Sequence, residues 1–226
     1  MRAIKVRRSI VAFDMDGVLI DSAHSIADSF FKAMAEHQVP LNPQFNLRSN
    51  IGLPLEQLIL LAAATELSGE RVAACIRSYR RINDGVTAAD LPTYQGVVEM
   101  LIRSAEYCDL CVLTTKNENS AKRQLAMLNL SQYFLGIFGN TDDKRHVSKD
   151  VRWREAERQL SGEEKAEISL IVGDRASDVV AAKRVGRLAI GATWGYGASD
   201  ELNEASADRI ASHPIDVPPL LQELCR

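Results

Sequence analysis

Residues 10–22, with the sequence IVAFDMDGVLIDS, constrain the fold of this chain more than any other stretch. The stretch begins as a short apolar run, which is typical of a buried strand in a parallel sheet. It continues into Asp14 and Asp16, one residue apart, followed at once by Gly17. Because side chains at i and i+2 of a strand point to the same face, we expect the two carboxylates to project together. They would do so from the C-terminal end of the strand, where ligands bind in open α/β sheets.

The closeness of these two acids calls for an explanation. Two like charges about 4 Å apart repel each other by roughly 4 kcal/mol at an effective dielectric constant near 20. A protein keeps such a pair when a cation lies between the carboxylates or when one of them carries a proton, and both arrangements suit catalysis. Asp and Gly are also common turn residues, so a plain loop is the alternative interpretation. The apolar strand before the pair and three matching motifs later in the chain favour a catalytic site.

The second half of the chain alternates short apolar segments with helical patterns. The patterns predict strands at 110–114, 136–139, 167–173 and 188–192, and helices at 97–105, 119–128, 151–160 and 178–185. A short strand at 209–212 and a C-terminal helix follow. Alternation of this kind implies right-handed crossovers between parallel strands. We therefore predict an α/β fold, with a Rossmann-like parallel sheet core that has helices on both faces.

Between the first strand and residue 92 the sequence predicts helices alone. Asp21 and Ser22 offer a cap for a first helix, and further helices are predicted at 54–67 and 69–82. We predict that residues 21–91 form a small all-helical cap inserted after the first strand. The α/β catalytic core would then comprise residues 1–20 and 92–226.

Further polar residues are predicted at the ends of later strands. Thr114 ends the second strand just before a helix, where a hydroxyl and first-turn N–H groups suit a phosphate. Gly173-Asp174 ends the fourth strand, with Asp178 four residues on, and two such acids can complete an oxygen shell for Mg²⁺. A lysine is also expected near this charge, and Lys149, at the start of a helix, is better placed than Lys144. Each of these residues alone also has an ordinary explanation, as a helix cap or a solvated surface charge.

Charge and composition exclude several classes of partner. The 27 Lys and Arg residues against 30 Asp and Glu give a net charge of −3, so no basic field attracts nucleic acid or an anionic membrane. The first apolar run stops at Asp14, too early for a signal peptide, and the run at 58–64 is too short to cross a bilayer. Four scattered cysteines do not form a disulfide framework, and Cys108 and Cys111 are expected to pack in the core. We expect a cytoplasmic protein.

The four motifs, taken in order, resemble those of the haloacid dehalogenase superfamily. The form of the superfamily that they resemble has a helical cap inserted after the first strand. Residues 48–55, 94–97 and 192–197 are similar to its phosphoglycolate phosphatase-like branch. The resemblance implies a phosphatase in which Asp14 is the nucleophile and forms an aspartyl-phosphate. Asp16 would act as general acid and then as general base, Thr114 would bind the phosphoryl oxygens, and Lys149 would steady Asp14.

The resemblance also implies a Mg²⁺ site. Asp14, Asp174 and the carbonyl oxygen of Asp16 would hold the ion, with Asp178 in support.

The substrate implied by the resemblance is a small phosphorylated metabolite, phosphoglycolate-like or a sugar phosphate. The residues expected to contact it are Gly17, Thr115, Arg48 and Gly52. Arg175 stands where a small residue is more usual in the family, so it would reach either an anionic substrate group or a surface acid. The protein would act as a monomer or a homodimer.

Four other functions share parts of this pattern. Dehalogenation fits poorly, because the dehalogenating members of the family lack the second acid, here Asp16, and a halide needs no proton to depart. A phosphomutase acting on a sugar phosphate uses the same core but must keep water from the aspartyl-phosphate. A non-catalytic binding protein on the same scaffold would not need the four aspartates, and the helical insert disfavours a receiver domain.

Overall fold

The computed structural model describes residues 8–141, 147–161, 166–197 and 199–225. These residues form a six-stranded parallel sheet with strand order β3-β2-β1-β4-β5-β6. The strands are β1 Ile10–Phe13, β2 Asp109–Asn117, β3 Ile137–Asn140, β4 Ile168–Gly173, β5 Leu188–Ala192 and β6 Arg209–Ala211. The α-helices are α1 Ala23–Glu36, α2 Leu47–Asn50, α3 Leu55–Ala62, α4 Gly69–Asp84, α5 Val97–Tyr107, α6 Glu118–Met127, α7 Lys149–Leu160, α8 Ala176–Arg184, α9 Ser199–Glu204 and α10 Val217–Leu224. Short 3₁₀ turns lie at Ala88–Asp90, Ser131–Tyr133 and Pro214–Asp216.

Strand β1 lies at the centre of the sheet, between β2 and β4. Its alternate side chains enter two different cores, with Val11 and Phe13 in one and Ile10 and Ala12 in the other. Helices α5, α6 and α10 cover the first face, and α7, α8 and α9 cover the second. Burial on both faces explains why the strand is an unbroken apolar run, and the predicted α/β sheet fold is confirmed.

Helices α1 to α4 follow β1 and pack around a hydrophobic core of their own. This core contains Phe30 and Met34 from α1, Ile59 from α3 and Cys75 from α4. The chain returns to the sheet through Gly96, which adopts φ of +87° at the start of α5 and therefore suits glycine. The division of the chain at residues 21 and 91 stays a prediction.

Two predicted element ends differ from the structure by three residues or more. Helix α3 ends at Ala62 instead of residue 67, because Ala63 is extended and bridges to Leu41, while Ala64 donates its N–H to the Pro40 carbonyl. Strand β2 continues to Asn117, three residues beyond the predicted end, and so carries Thr114 within the strand.

Cys108 and Cys111 are buried in the two cores of the sheet, as predicted. Within the ranges that the structure describes, the helices are too short or too polar to cross a membrane.

Candidate active site

Three neighbouring strands deliver polar residues to the same edge of the sheet. Phe13 pairs with Val112 of β2 and with Val172 of β4, so the residues that follow these positions lie at one level. Asp14 and Asp174, which directly follow β1 and β4, therefore lie close to Thr114 in the second half of β2. This edge is where an open α/β sheet binds its ligands.

Three carboxylates form a buried cluster at this edge. Each of Asp14, Asp174 and Asp178 offers one oxygen within 4.8 Å of the others. Asp174 Oδ2 accepts a hydrogen bond from the backbone N–H of Tyr196 at 2.7 Å, whereas its Oδ1 is buried without a hydrogen-bond partner among the described residues. A buried, unsatisfied carboxylate oxygen beside two further acids fits a divalent cation that prefers oxygen ligands. The residues present thus suit the predicted Mg²⁺ site.

The side chain of Lys149 joins two members of this cluster. Its Nζ lies 2.9 Å from Asp14 Oδ2 and also donates a hydrogen bond to Asp178 Oδ1. Helix α7 begins at Lys149, two residues earlier than predicted, and the side chain is buried. Burial opposes the charge of the ammonium, but Asp14 and Asp178 outweigh this effect and raise the pKa of Lys149 above its ordinary value. The other candidate, Lys144, lies outside the described residues.

The surroundings of Asp14 and Asp174 raise the pKa of both carboxyl groups. Burial raises the pKa of Asp14 to about 6, with the charge of Asp178 adding to the rise and Lys149 opposing it. Burial and the charges of Asp178 and Asp14 raise the pKa of Asp174 well above its usual range. A cation bound among these carboxylates would favour their ionised forms instead.

Asp16 faces a different environment from Asp14. Lys116 Nζ lies 3.1 Å from each of its carboxylate oxygens, and Ser22 Oγ donates a hydrogen bond to Asp16 Oδ1 at 2.6 Å. Each acid of the pair thus has its own lysine, so no single cation needs to lie between them. Two carboxylates held in unlike surroundings are suited to different roles in one reaction.

Lys116 was not predicted as a site residue, and Ser22 was predicted to be a helix cap. Ser22 does precede α1, but its hydroxyl makes no capping hydrogen bond there because it points to Asp16. A signal for Lys116 was available in the sequence. It follows Thr114 by two residues in a strand, so the two side chains share a face.

Gly17 and Gly195 let the chain pass close to Asp174. Gly17 adopts φ of +88°, and a Cβ placed on it would lie 2.2 Å from Asp174 Oδ2. A Cβ on Gly195 would lie 2.4 Å from the same oxygen. Gly17, predicted to contact substrate, therefore has a clear structural role beside the carboxylate cluster.

A cavity of about 310 Å³ extends from the carboxylates to helices α1 to α4, which together form the helical unit. Thr114, Thr115 and Gly52 line it, and Thr115 Oγ1 lies 3.5 Å from the Gly52 carbonyl oxygen. Arg48 lies beside the cavity, with its guanidinium 5.3 Å from the centre of the Tyr196 ring, which is part of the lining.

The side chain of Arg175 connects the sheet to the helical unit. Its Nη1 and Nη2 donate to the carbonyls of Ile51 at 2.9 Å and Ser49 at 3.1 Å, and its Nε donates to Glu201 at 2.9 Å. Of the two predicted partners for this residue, the structure shows the acid, together with two backbone carbonyls.

Comparison with known proteins agrees with this architecture. The family model described as haloacid dehalogenase-like hydrolase matches residues 11–192. A protein named probable phosphatase IndB from Dickeya dadantii is 32% identical over 88% of this chain and 86% of its own length. A phosphoglycolate phosphatase from Aquifex aeolicus is 32% identical over 94% of this chain and 96% of its own. The crystal structure of a predicted phosphatase from Clostridium acetobutylicum has a TM-score of 0.84 and 26% identity, covering 96% of this chain and 100% of that one. The chain belongs to the haloacid dehalogenase-like hydrolase family.

Proposed function

We propose that this protein is a Mg²⁺-dependent phosphatase that hydrolyses a small phosphate monoester through an aspartyl-phosphate on Asp14. The observation that carries the proposal is the buried carboxylate cluster, in which Asp174 has an unsatisfied Oδ1 and lines the same cavity as Asp14. Relatives named as phosphatases support the same reaction class.

In the first step Asp14 attacks phosphorus. A bond forms between a carboxylate oxygen of Asp14 and phosphorus, and the bond from phosphorus to the leaving oxygen breaks. Asp16 gives its proton to that oxygen, so the product leaves as a neutral alcohol. Thr114, which is buried and lines the cavity, would contact the phosphoryl oxygens.

In the second step water attacks the same phosphorus. Asp16, now ionised, takes a proton from the water, and the bond between Asp14 and phosphorus breaks to release inorganic phosphate. Ser22 and Lys116 contact the Asp16 side chain and would fix its orientation. Lys149 holds Asp14 in position and offsets charge near the phosphoryl group.

The metal-binding group would be Asp14, Asp174 and the backbone carbonyl of Asp16. Bound Mg²⁺ would neutralise charge on the phosphoryl oxygens. Asp178 supports this set of ligands indirectly. Its Oδ1 accepts a hydrogen bond from Lys149, and its Oδ2 accepts one from the backbone N–H of Arg175 at 3.1 Å.

The proposal is tested by phosphate release from a panel of phosphorylated metabolites, with Mg²⁺ and with EDTA. Release should require Mg²⁺, and acid quenching with labelled substrate should trap phosphate on the wild-type protein. Asp14→Asn should abolish both release and trapping, because an amide is not a competent nucleophile. Asp28→Asn, an exposed acid paired with Lys32 on α1, is the matched control and should keep both. Ordinary turnover by Asp14→Asn would show that the nucleophile is another group.

A further inference from the structure

The cavity has two chemically different walls. The sheet edge contributes charged and polar groups, among them Asp14, Asp16 and Lys149. The opposite wall belongs to the helical unit and is largely hydrophobic. Its apolar and aromatic members include Ile26, Ile51, Leu53, Leu58, Ile76 and Tyr79. A phosphoryl group bound at the sheet edge would therefore direct its leaving group toward a nonpolar surface.

The basic side chains at the sheet edge of the cavity already form ion pairs with carboxylates or hydrogen bonds with backbone carbonyls. Lys149 contacts Asp14 and Asp178, Lys116 contacts both oxygens of Asp16, and Arg175 is bound to Glu201 and two carbonyls. An anionic leaving group would have to break one of these pairs or remain unpaired beside carboxylates. Burying an unpaired charge is strongly unfavourable.

The wall from the helical unit offers little compensation for a second anion. Among the described residues that line the cavity, its charged members are Glu56 and Arg80, of opposite sign and both solvent-exposed. Burial and the charge of Asp16 raise the pKa of Tyr79 above its ordinary value, so this phenol stays neutral.

On these grounds, and resting on the proposed phosphatase activity, we propose that the substrate's leaving group is uncharged and presents a nonpolar, ring-sized face to the helical unit. Esters whose leaving group carries a second anion, such as 2-phosphoglycolate, would be poor substrates. The apolar wall would bind the ring by excluding water from both surfaces.

The test compares phenyl phosphate with 4-carboxyphenyl phosphate, which differ by one carboxylate, and includes 2-phosphoglycolate. The carboxylate does not make the phenolate a poorer leaving group, so a slower reaction reports on the site. We expect kcat/KM of the wild type to be about tenfold or more higher for phenyl phosphate than for either anionic ester.

Two lysine substitutions show where the discrimination arises. Leu53 lines the cavity and is 40% exposed, so Leu53→Lys adds a cation to the apolar wall without disturbing a core. Leu61 is 51% exposed on α3 and lies outside the lining, so Leu61→Lys is the matched control. Leu53→Lys should lower the ratio of kcat/KM for phenyl phosphate to kcat/KM for 4-carboxyphenyl phosphate about threefold or more. Leu61→Lys should leave this ratio unchanged.

The possible results separate the two proposals. Hydrolysis of either anionic ester as fast as phenyl phosphate would overturn the inference and leave the phosphatase proposal standing. An equal effect of the two lysine substitutions would also overturn it, since the apolar wall would not then be the source of the preference. If no ester of the panel released phosphate with Mg²⁺, the phosphatase proposal would fail, and the inference with it.

Discussion

Replacing Lys149 with methionine tests the electrostatic account of the carboxylate cluster. Methionine keeps much of the aliphatic stem but removes the ammonium, which lies 2.9 Å from Asp14 Oδ2 and also contacts Asp178. Two opposite charges at that separation attract each other by about 6 kcal/mol at an effective dielectric constant of 20. Desolvation offsets part of this, and removal of one partner of a buried ion pair typically costs about 3–5 kcal/mol.

The assay is equilibrium unfolding in urea and by heat, with EDTA present so that bound metal cannot compensate. A loss of this size should lower Tm by roughly 10 °C for a chain of this length. Lys122→Met is the matched control, because Lys122 pairs with Glu118 at 2.7 Å but is 52% exposed. Its expected cost is about 0.3–0.5 kcal/mol. Equal destabilisation by the two substitutions would refute the reasoning.

The cost of Lys149→Met should also depend on pH. The pKa of Asp14 is raised from its ordinary 3.8 to about 6, so the native state binds this proton more tightly than the unfolded state. The contribution of this carboxyl to stability therefore falls as pH rises from 3.8 to about 6. Without Lys149 the pKa of Asp14 rises further, so the added destabilisation should be large at pH 7 and shrink toward pH 5. A cost that did not change with pH would mean that Asp14 is not the group affected.

Two further predictions concern the metal site and the glycine beside it. Asp174→Asn should fold but lose the rise in Tm that Mg²⁺ gives the wild type. For the wild type, Mg²⁺ at 100 times its Kd should raise the free energy of unfolding by about 2.7 kcal/mol. Scanning calorimetry at a series of Mg²⁺ concentrations measures Tm. A rise in Tm as large as that of the wild type would mean that Asp174 is not part of the Mg²⁺ site. Gly17→Ala places a Cβ 2.2 Å from Asp174 Oδ2 at φ of +88°, so we expect a loss of about 2 kcal/mol or more and no Mg²⁺ response. Gly69→Ala, in α4 with no atom within 4 Å of the added Cβ, should be neutral or slightly stabilising, and equal effects of the two alanines would contradict the clash.

The parts of the fold that follow from local pattern were predictable from the sequence. Asp14 directly follows β1 and Asp174 directly follows β4, which are neighbouring central strands. Strand–helix alternation predicts parallel strands, and the carboxyl ends of parallel strands lie at one edge of the sheet. Helix α3 was predicted too long, because its end is set by pairing of residues 63 and 64 with residues 40 and 41. Local periodicity carries no information about such a pairing.

The same distinction applies to the candidate site. Lys149 could be proposed from its position at a helix start, whereas the ion pair between Asp16 and Lys116 joins residues 100 positions apart. The partners of Arg175 depend on how the helical unit packs against the sheet. Contacts of this kind are determined by tertiary packing, so a single sequence limits the candidates without selecting among them.

The attachment of Arg175 to Ser49 and Ile51 has a consequence for how this protein can diversify. Both acceptors are main-chain oxygens, which every amino acid possesses. The exposed side chains of residues 49–53 can therefore be exchanged during evolution while these two hydrogen bonds to the sheet side of the cavity persist. A new substrate preference could therefore arise from substitution of residues such as Leu53, while the hydrogen bonds from Arg175 to the main chain are kept.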